Sequence, residues 1–148
     1  MVNYQINATS SKSFVAAIDK LIPTVMKKLF LVNNNLKDDS IADLLRAISL
    51  SNGIIAFALI QNQFSNKSYH YIASDFLSSY GVKKLRRFVL KNPNPKSVPI
   101  KELRLMTSSF EYNGVNLGQL NKLSLSSLGL DSECLENVSI AVANLGNL

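Results

Sequence analysis

Apolar side chains recur at every third or fourth position through several long segments of this chain. One stripe runs through residues 10–32, a second through Ile41–Ile48 and a third from Leu135 to Leu145. Because an α-helix turns once every 3.6 residues, this spacing gathers the apolar side chains of each segment on one face. The pattern therefore predicts a mainly α fold, a single compact helical domain of about six helices spanning residues 1–148.

The composition is typical of a chain that buries its own core. Of the 148 residues, 47% are hydrophobic and 18% are charged, which is the ordinary globular range. The single cysteine, Cys134, excludes an intramolecular disulfide. Residues 1–10 contain neither the basic nor the apolar segment of a secretory signal, so we expect a cytoplasmic protein.

The segment from Ile54 to Ala73 fits two secondary structures. Its apolar run Ile54–Ile60 is either a buried helix followed by a polar loop or the first of two strands, with Ser68–Ala73 as the second. We favour the helix. The run is much shorter than the roughly 20 apolar residues that cross a bilayer, so we expect no transmembrane segment.

Two helices are predicted on either side of the proline-rich stretch Asn92–Pro95. The first runs from Val82 to about Lys91. It ends there because proline lacks a backbone donor and biases the preceding residue away from helix. The second covers Val98–Met106, with Ser97 in the N-cap position.

One turn signal predicts the only β structure of this domain. Asn113-Gly114 lies between two short alternations of apolar and polar residues, which is the usual arrangement of a tight hairpin turn. We therefore expect a small β-hairpin near Asn113-Gly114. The leucines of residues 117–125 predict another helix, and a last helix begins at a cap provided by Asp131 or Ser132.

The positive charge of the chain is concentrated in one segment. The net charge is +6, and residues 83–104 carry eight basic residues against one acidic residue. The remaining sequence carries eight basic and nine acidic residues. Such charge asymmetry indicates a partner rather than a fold. The candidate nucleic-acid-binding residues are therefore Lys83, Lys84, Arg86, Arg87, Lys91, Lys96, Lys101 and Arg104.

On a helix from Val82 to Lys91, the basic side chains would occupy the side opposite Leu85 and Phe88. A positive helix face neutralises phosphates and binds with an affinity that falls as salt rises. We therefore predict a non-enzymatic protein that binds RNA or single-stranded DNA. Most contacts would be to phosphates, so the sequence preference would be weak.

The opening YQINATSSKSFV, Tyr4–Val15, resembles the first residues of rod-shaped plant virus coat proteins. The resemblance covers these twelve residues, and nothing after Val15 follows the pattern of that family. It implies a nucleic-acid-packaging role, in agreement with the basic segment. It implies no site residue in this chain.

A second hypothesis assigns the chain to a different class. Leucine-rich amphipathic segments, especially from Leu117 onward, are typical of a helical protein–protein interaction module or a self-assembling structural module. The basic face would then dock an acidic protein, or the chain would form a homo-oligomer. A membrane surface is a weaker alternative, because the apolar face of the predicted basic helix is small and lacks tryptophan. A basic helix face can also serve solubility alone.

Nothing in the sequence predicts an enzyme, a cofactor or a metal site. His70 and Cys134 are the only residues of their types, which is too few for zinc, and no local signature makes them a catalytic pair. The six glycines form no phosphate-binding loop. The carboxylates near residues 38–43 and 131–136 lie where they favour helix starts. We therefore predict no catalytic residue, no cofactor and no metal.

Overall fold

The computed structural model describes residues 26–34, 36–50, 53–62, 65–92, 99–112 and 117–145, with helical backbone also at Ser13, Ala16, Ala17 and Lys20. The spacing of those four N-terminal positions puts them on one helical face, and all four are exposed. Of the apolar stripe predicted for residues 10–32, the apolar residues up to residue 25 lie outside the described residues.

Helices and strands alternate along the described chain. In chain order they are β1 (Lys28–Val32), α1 (Asp38–Ser49), β2 (Ala56–Ile60), α2 (Asn66–Tyr71), β3 (Arg87–Lys91), α3 (Ile100–Tyr112), β4 (Lys122–Ser126) and α4 (Ser132–Leu145). A π-helical turn, Ile72–Phe76, continues α2, and a 3₁₀ turn, Tyr80–Lys84, precedes β3. The prediction of a mainly α domain of about six helices is therefore wrong, because the fold is α/β.

The four strands form one parallel sheet. Each strand pairs with the next one in the sequence, so the order across the sheet is β1-β2-β3-β4. Parallel neighbours need a crossover connection, and here every crossover contains a helix. The helices contact one another in the same order and form a single layer. The described chain is therefore a solenoid, in which each strand–helix unit packs on its neighbours.

The units carry the residue spacing of leucine-rich repeats. In the first two units, two large apolar residues of the strand are followed three residues later by an asparagine: Leu29, Leu31 and Asn34, then Phe57, Leu59 and Asn62. This is the L-x-L-x-x-N pattern. In the fourth unit Leu128 takes the place of the asparagine. The aligned strands begin at residues 28, 56, 87 and 122. The unit thus lengthens from 28 to 31 to 35 residues, which hides the repeat from a search for one fixed period.

Alternate strand residues face the helices and form the core. The rings of Phe57 and Phe88 are stacked with centroids 6.1 Å apart, and Phe76 tilts against them at 5.7 and 5.5 Å. Phe110 of α3 lies 6.1 Å from Phe88. All four side chains are fully buried. We call this side of the sheet the inner face; its residues are Leu29, Leu31, Phe57, Leu59, Phe88, Leu90, Leu123 and Leu125.

The buried side chain of Asn62 ties the first unit to the second. Its Oδ1 accepts the backbone N–H groups of Asn34 and Leu36, both at 3.3 Å. Its amide group donates to the carbonyl oxygens of Leu31 at 2.9 Å and Ile60 at 3.1 Å. A primary amide has two donors and an acceptor with two lone pairs. Asn62 therefore satisfies four backbone groups where the strands end.

The chain turns in the same way after three of the four strands. The first residue after the strand has a left-handed backbone at Asn33 (φ 55°), Gln61 (φ 53°) and Ser127 (φ 55°). Asn92, the equivalent residue after β3, is not among the described residues with positive φ. Pro93 follows it, and the residue before a proline is restricted to extended backbone. Asn92 is instead buried and donates to the Tyr69 hydroxyl at 3.1 Å. Burial raises the pKa of Tyr69 to about 12, against the opposing effect of this hydrogen bond.

Asp38 connects α1 to the start of α2. Its carboxylate accepts the backbone N–H groups of Ser65 at 3.1 Å and Ser68 at 3.2 Å, and the hydroxyl groups of both serines. Burial raises the pKa of Asp38, but these hydrogen bonds outweigh burial and hold the pKa below its ordinary value. An acidic side chain at a helix N-terminus satisfies backbone donors that the helix leaves free.

The helix predicted for Val82–Lys91 does not form. Tyr80–Lys84 is a 3₁₀ turn and Arg87–Lys91 is strand β3. Residues 88–90 are all buried, which is common for a strand inside a parallel sheet. Pairing with β2 on one side and β4 on the other outweighs the local helical spacing.

Three further segments differ from the sequence-based predictions. Lys28–Val32 is a strand rather than the end of an N-terminal helix. Ala56–Ile60 is a strand, so the helix favoured for Ile54–Ile60 is wrong. The alternative was right about this strand but not about a second one at Ser68–Ala73, because Asn66–Tyr71 is a helix. Lys122–Ser126 is a strand where a helix was expected.

The predicted β-hairpin falls on Asn113-Gly114, which lies outside the described residues. The chain before it is helical as far as Tyr112, and Leu117–Gln119 forms a turn. Neither described flank is therefore a strand.

Other predictions are confirmed. The apolar stripe Ile41–Ile48 lies in α1, and Asp131 caps α4, because the Cys134 backbone N–H donates to its Oδ1 at 2.9 Å. The helix expected at Val98–Met106 exists but covers Ile100–Tyr112.

Candidate functional site

One side of the sheet carries no described helix. Strand residues alternate between the two sides of a sheet. The single helical layer joins the core through the inner face, so no helix in the described ranges covers the other side. We call this second side the open face. Its residues are Lys28, Phe30, Val32, Ala56, Ala58, Ile60, Arg87, Val89, Lys91, Lys122, Ser124 and Ser126.

The centre of the open face is apolar. Phe30, Ala58 and Val89 are aligned across three strands, and Val32 and Ile60 lie beside them. The side chains of Phe30, Val32 and Ile60 are half-buried. Apolar surface therefore remains accessible to a partner.

Basic residues border this apolar centre. Lys28, Arg87 and Lys122 share one row of the register and are exposed, with Ala56 between the first two. Lys91 lies at the other end of β3. Neighbouring strands are about 4.8 Å apart, so the row spreads three positive charges over about 14 Å.

The side chain of Arg87 lies across the neighbouring strand. Its guanidinium carbon is 5.4 Å from the ring centroid of Phe30, which is two strands away. Ala56 and Ala58 of the intervening strand are small and leave room for this path. A cation over an aromatic ring is attracted by the electrons of the ring face. Arg87 is therefore held flat on the open face.

The basic residues of the open face are not neutralised within the described part of the chain. The ion pairs found there lie on α1 and between α3 and the start of α4. Arg87 and Lys122 occupy directly paired positions on β3 and β4, and the Arg87 side chain extends away from Lys122, over Phe30. The open face therefore carries a positive field that favours an anionic partner.

The structure divides the eight predicted site residues. Arg87 and Lys91 lie on the open face. Lys83 and Lys84 belong to the 3₁₀ turn, and Arg86 is exposed just before β3. These five residues are neighbours in the sequence, but they do not form a helix face, and Lys91 lies at the opposite end of β3 from the other four.

The other three predicted residues do not join them. Lys96 lies outside the described residues, and Lys101 is exposed on α3. The Nη2 atom of Arg104 is 2.6 Å from Oδ2 of Asp131, and its Nη1 atom is 2.8 Å from Oε2 of Glu133. Arg104 therefore links α3 to the start of α4.

The contacts of Asp131 and Arg104 shift their protonation equilibria. The Cys134 backbone N–H, and after it the Arg104 side chain, lower the pKa of Asp131 to about 2. The hydrogen bond to Asp131 raises the pKa of Arg104. Both groups stay charged at neutral pH, which fits a structural ion pair.

Sequence reasoning missed Lys28, Phe30 and Lys122. Lys28 and Lys122 are 94 positions apart and outside the basic segment. Only the strand register brings them into one row with Arg87. The available signal was the alternation of side chains in the short apolar runs that follow Lys28 and Lys122.

The residues considered for chemistry do not form a reaction centre in the described structure. His70 lines an open cavity of about 520 Å³ with Tyr71 and Glu102. Cys134 is fully buried, and burial raises the pKa of its thiol. No group of three potential metal ligands occurs among the residues described. Within the same ranges, no helix has the length and apolar character needed to cross a membrane.

Comparison with known proteins identifies relatives of the fold. No protein-family model matches the chain, and no curated protein sequence matches it. The solved structures similar to this chain include the following two. The structure titled leiomodin-1 actin-binding site 2 has a TM-score of 0.61 and 12% identity, over 96% of this chain and 80% of that chain. The Caenorhabditis elegans tropomodulin C-terminal domain has a TM-score of 0.53 and 16% identity, over 92% of this chain and 93% of that chain. At these identities the likeness shows the fold.

These findings correct the predicted nucleic-acid surface. The basic helix on which it depended is absent, and Arg104 is bound to two carboxylates. Of these two structures, one is titled an actin-binding site and neither title names nucleic acid. The prediction of RNA or single-stranded DNA binding is therefore wrong, and so is the role implied by the resemblance at Tyr4–Val15. The hypothesis that remains from the sequence is the alternative, a protein–protein interaction module.

Proposed function

We propose that this chain is a non-enzymatic, cytoplasmic protein-binding module that docks an acidic protein segment on its open face. One observation carries the proposal: an accessible apolar centre is bordered by basic residues without a described carboxylate partner. The solenoid fold supports it, since solenoids present extended surfaces for binding.

The composition of the open face fits a protein interface. Interfaces have an apolar centre and a polar, solvated rim. Here Phe30, Val32 and Ile60 supply the centre, and Lys28 and Lys122 belong to the rim. Charged rims accelerate association and select partners of opposite charge.

Arg87 is the expected energetic centre of the interface. Arginine and aromatic residues are enriched among the interface residues that contribute most to affinity. The contact with Phe30 orders the Arg87 side chain before binding, which lowers the entropy cost of immobilising it. Its planar guanidinium can hold a carboxylate through two hydrogen bonds.

Actin is the first partner to test, because the leiomodin-1 domain with this fold is titled an actin-binding site. The probes are fluorescently labelled actin and a labelled peptide of alternating glutamate and leucine, titrated with the chain at several salt concentrations. The test variant combines K28E, R87E and K122E. The control combines K37E, K67E and K101E, which makes the same charge change at exposed lysines outside the sheet.

Binding by the wild type and by the control, with a loss of about tenfold or more in the test variant, supports the proposal. Equal binding by both variants would show that the open face is not the docking surface. If the wild type binds neither probe at low salt, the proposal is wrong, because low salt strengthens contacts between opposite charges.

A further inference from the structure

The two edges of the sheet differ in the burial of their inner-face leucines. On β1, Leu29 and Leu31 are 7% and 5% exposed. On β4, the aligned Leu123 and Leu125 are only half-buried. The β4 end of the solenoid therefore leaves part of its core accessible.

A groove of about 370 Å³ lies at this end. Leu135 of α4 is 54% exposed there, and Val142 is 37% exposed. Every described residue lining the groove is apolar, namely Leu123, Leu125, Leu130, Leu135, Val138 and Val142. We call these six residues the end groove. The α4 residues among them lie beside the helix face that carries the buried Cys134 and Ala141.

The outer edge of β4 is also unpaired within the described sheet. Solenoids need terminal units with a polar outer side to remain soluble. An unpaired strand edge is a template for another strand. A partner that pairs with the β4 edge and covers the end groove must therefore provide both a strand edge and an apolar surface.

We propose that the occupant is a second copy of this chain, joined by antiparallel pairing of β4 with β4 around a two-fold axis at Ser124. In this register Leu123 faces Leu125 of the partner subunit on the inner side. Each of the two leucines that are half-buried in one copy thus meets a leucine of the other, and the end groove continues across the axis.

The charges of β4 allow this arrangement. Lys122 faces Ser126 of the partner subunit rather than the partner subunit's Lys122. With about 3.4 Å per residue, four residues separate the two lysines by about 14 Å along the strand direction. Antiparallel pairing therefore avoids the like-charge contact that destabilises directly opposed residues.

The burial of the β1 end favours a closed dimer over a filament. Head-to-tail growth would need an accessible apolar surface at β1, where Leu29 and Leu31 are already buried. An interface that uses the same surface on both copies closes after two subunits. The two open faces would lie side by side on one continuous sheet, so this inference is independent of what they bind.

The first test measures molecular mass by analytical ultracentrifugation over a concentration series. The full chain is expected to give twice its mass of 16.3 kDa. L135D places a charge in the end groove, whereas the control L105D changes a leucine of α3 that is 42% exposed. L135D should weaken dimerisation by about 100-fold or more, because two leucines are lost from each dimer. L105D should leave it unchanged, with circular dichroism confirming that both variants fold.

The second test examines the register by oxidation of single-cysteine variants. In the proposed pairing S124C meets its own symmetry mate at a distance that allows a disulfide, whereas two copies of K122C are too far apart. The native Cys134 is fully buried and should not form cross-links between chains. S124C is therefore expected to form a covalent dimer, and K122C is not.

The expected results are a dimer that L135D dissociates and that S124C traps. A monomer at every concentration would overturn the proposal, as would a dimer that L105D weakens as much as L135D. Cross-linking of K122C without cross-linking of S124C would overturn the two-fold axis at Ser124.

Discussion

Phe88 and Phe30 lie two strands apart in the same sheet but face opposite sides of it. Phe88 is fully buried on the inner face, where its ring centroid is within about 6 Å of those of Phe57, Phe76 and Phe110. Phe30 is half-buried on the open face, where Arg87 lies over its ring. The same residue type thus belongs to the core on one side and to an accessible surface on the other.

The contrast extends to whole strands. Side chains alternate across a strand, so a five-residue strand divides its residues between stability and recognition. On β3, Phe88 and Leu90 are core residues, while Arg87 and Lys91 border the open face. Changes on the inner face should therefore unfold the protein, and changes on the open face should alter binding without unfolding it.

The largest effect is expected from removing the inner aromatic ring. F88A should lower the free energy of unfolding by about 3–5 kcal/mol, because it leaves a cavity among three other rings. F30A, the matched change on the open face, should cost about 1 kcal/mol or less. Urea denaturation measures both. Equal losses of unfolding free energy in F88A and F30A would mean that Phe30 contributes as much to stability as Phe88.

The second effect concerns the turn that follows the strands of the first two units. N62A should lower the free energy of unfolding by about 2–4 kcal/mol, because it leaves buried backbone groups without hydrogen bonds. The control N121A changes an exposed side chain and should cost less than about 0.5 kcal/mol. Hydrogen exchange at Leu36 should rise in N62A. If it does not, the hydrogen bond from the Leu36 backbone N–H to Asn62 is not important in solution.

A smaller effect of opposite sign is expected on the open face. K122E replaces one positive charge of the row by a negative charge. Because the Arg87 side chain extends away from Lys122, over Phe30, the free energy of unfolding should rise by only about 0.5 kcal/mol or less. Partner binding should fall at the same time. A gain in stability with a loss of binding indicates a surface maintained for function. The control K67E, on α2, should change neither quantity, and a loss of stability in K122E would contradict the described register.

The smallest effect is the acid sensitivity of the ion pair between α3 and α4. The pKa of Asp131 is lowered to about 2 from an ordinary value of 3.8. A lowered pKa in the folded state stabilises the fold above the unfolded value and ceases to do so as pH falls through the folded one. The contribution of ionised Asp131 to the free energy of unfolding should therefore be complete above about pH 4 and disappear towards pH 2. D131N should flatten the pH dependence of unfolding in that window. An unchanged profile would contradict the contacts of Asp131 with the Cys134 backbone N–H and with Arg104.

The sequence predicted long helices better than short strands. The stripe Ile41–Ile48 and the cap at Asp131 are local features, and both are confirmed. The strands are five residues long, and runs such as residues 56–60 are apolar throughout, so they lack the alternation of apolar and polar residues that marks a strand. A short apolar run fits helix and strand equally well. The prediction of one domain over residues 1–148 stays a prediction.

Only part of the candidate site could be predicted from the sequence. Arg87 and Lys91 were named from the local charge density, although for a helix face and for the wrong class of partner. Lys28 and Lys122 are recognised as site residues only from the strand register, which depends on contacts between residues far apart in the chain. Arg104 was counted as free because its partner Asp131 is 27 positions away.

The most direct test of the docking surface is photo-cross-linking in cells with p-benzoylphenylalanine in place of single aromatic residues. Phe30 reports on the open face, and Tyr112, at the end of α3 and 81% exposed, serves as the control. We expect protein adducts from position 30, with a yield that R87E reduces, and few adducts from position 112. Adducts to RNA, or protein adducts from position 112 alone, would contradict it.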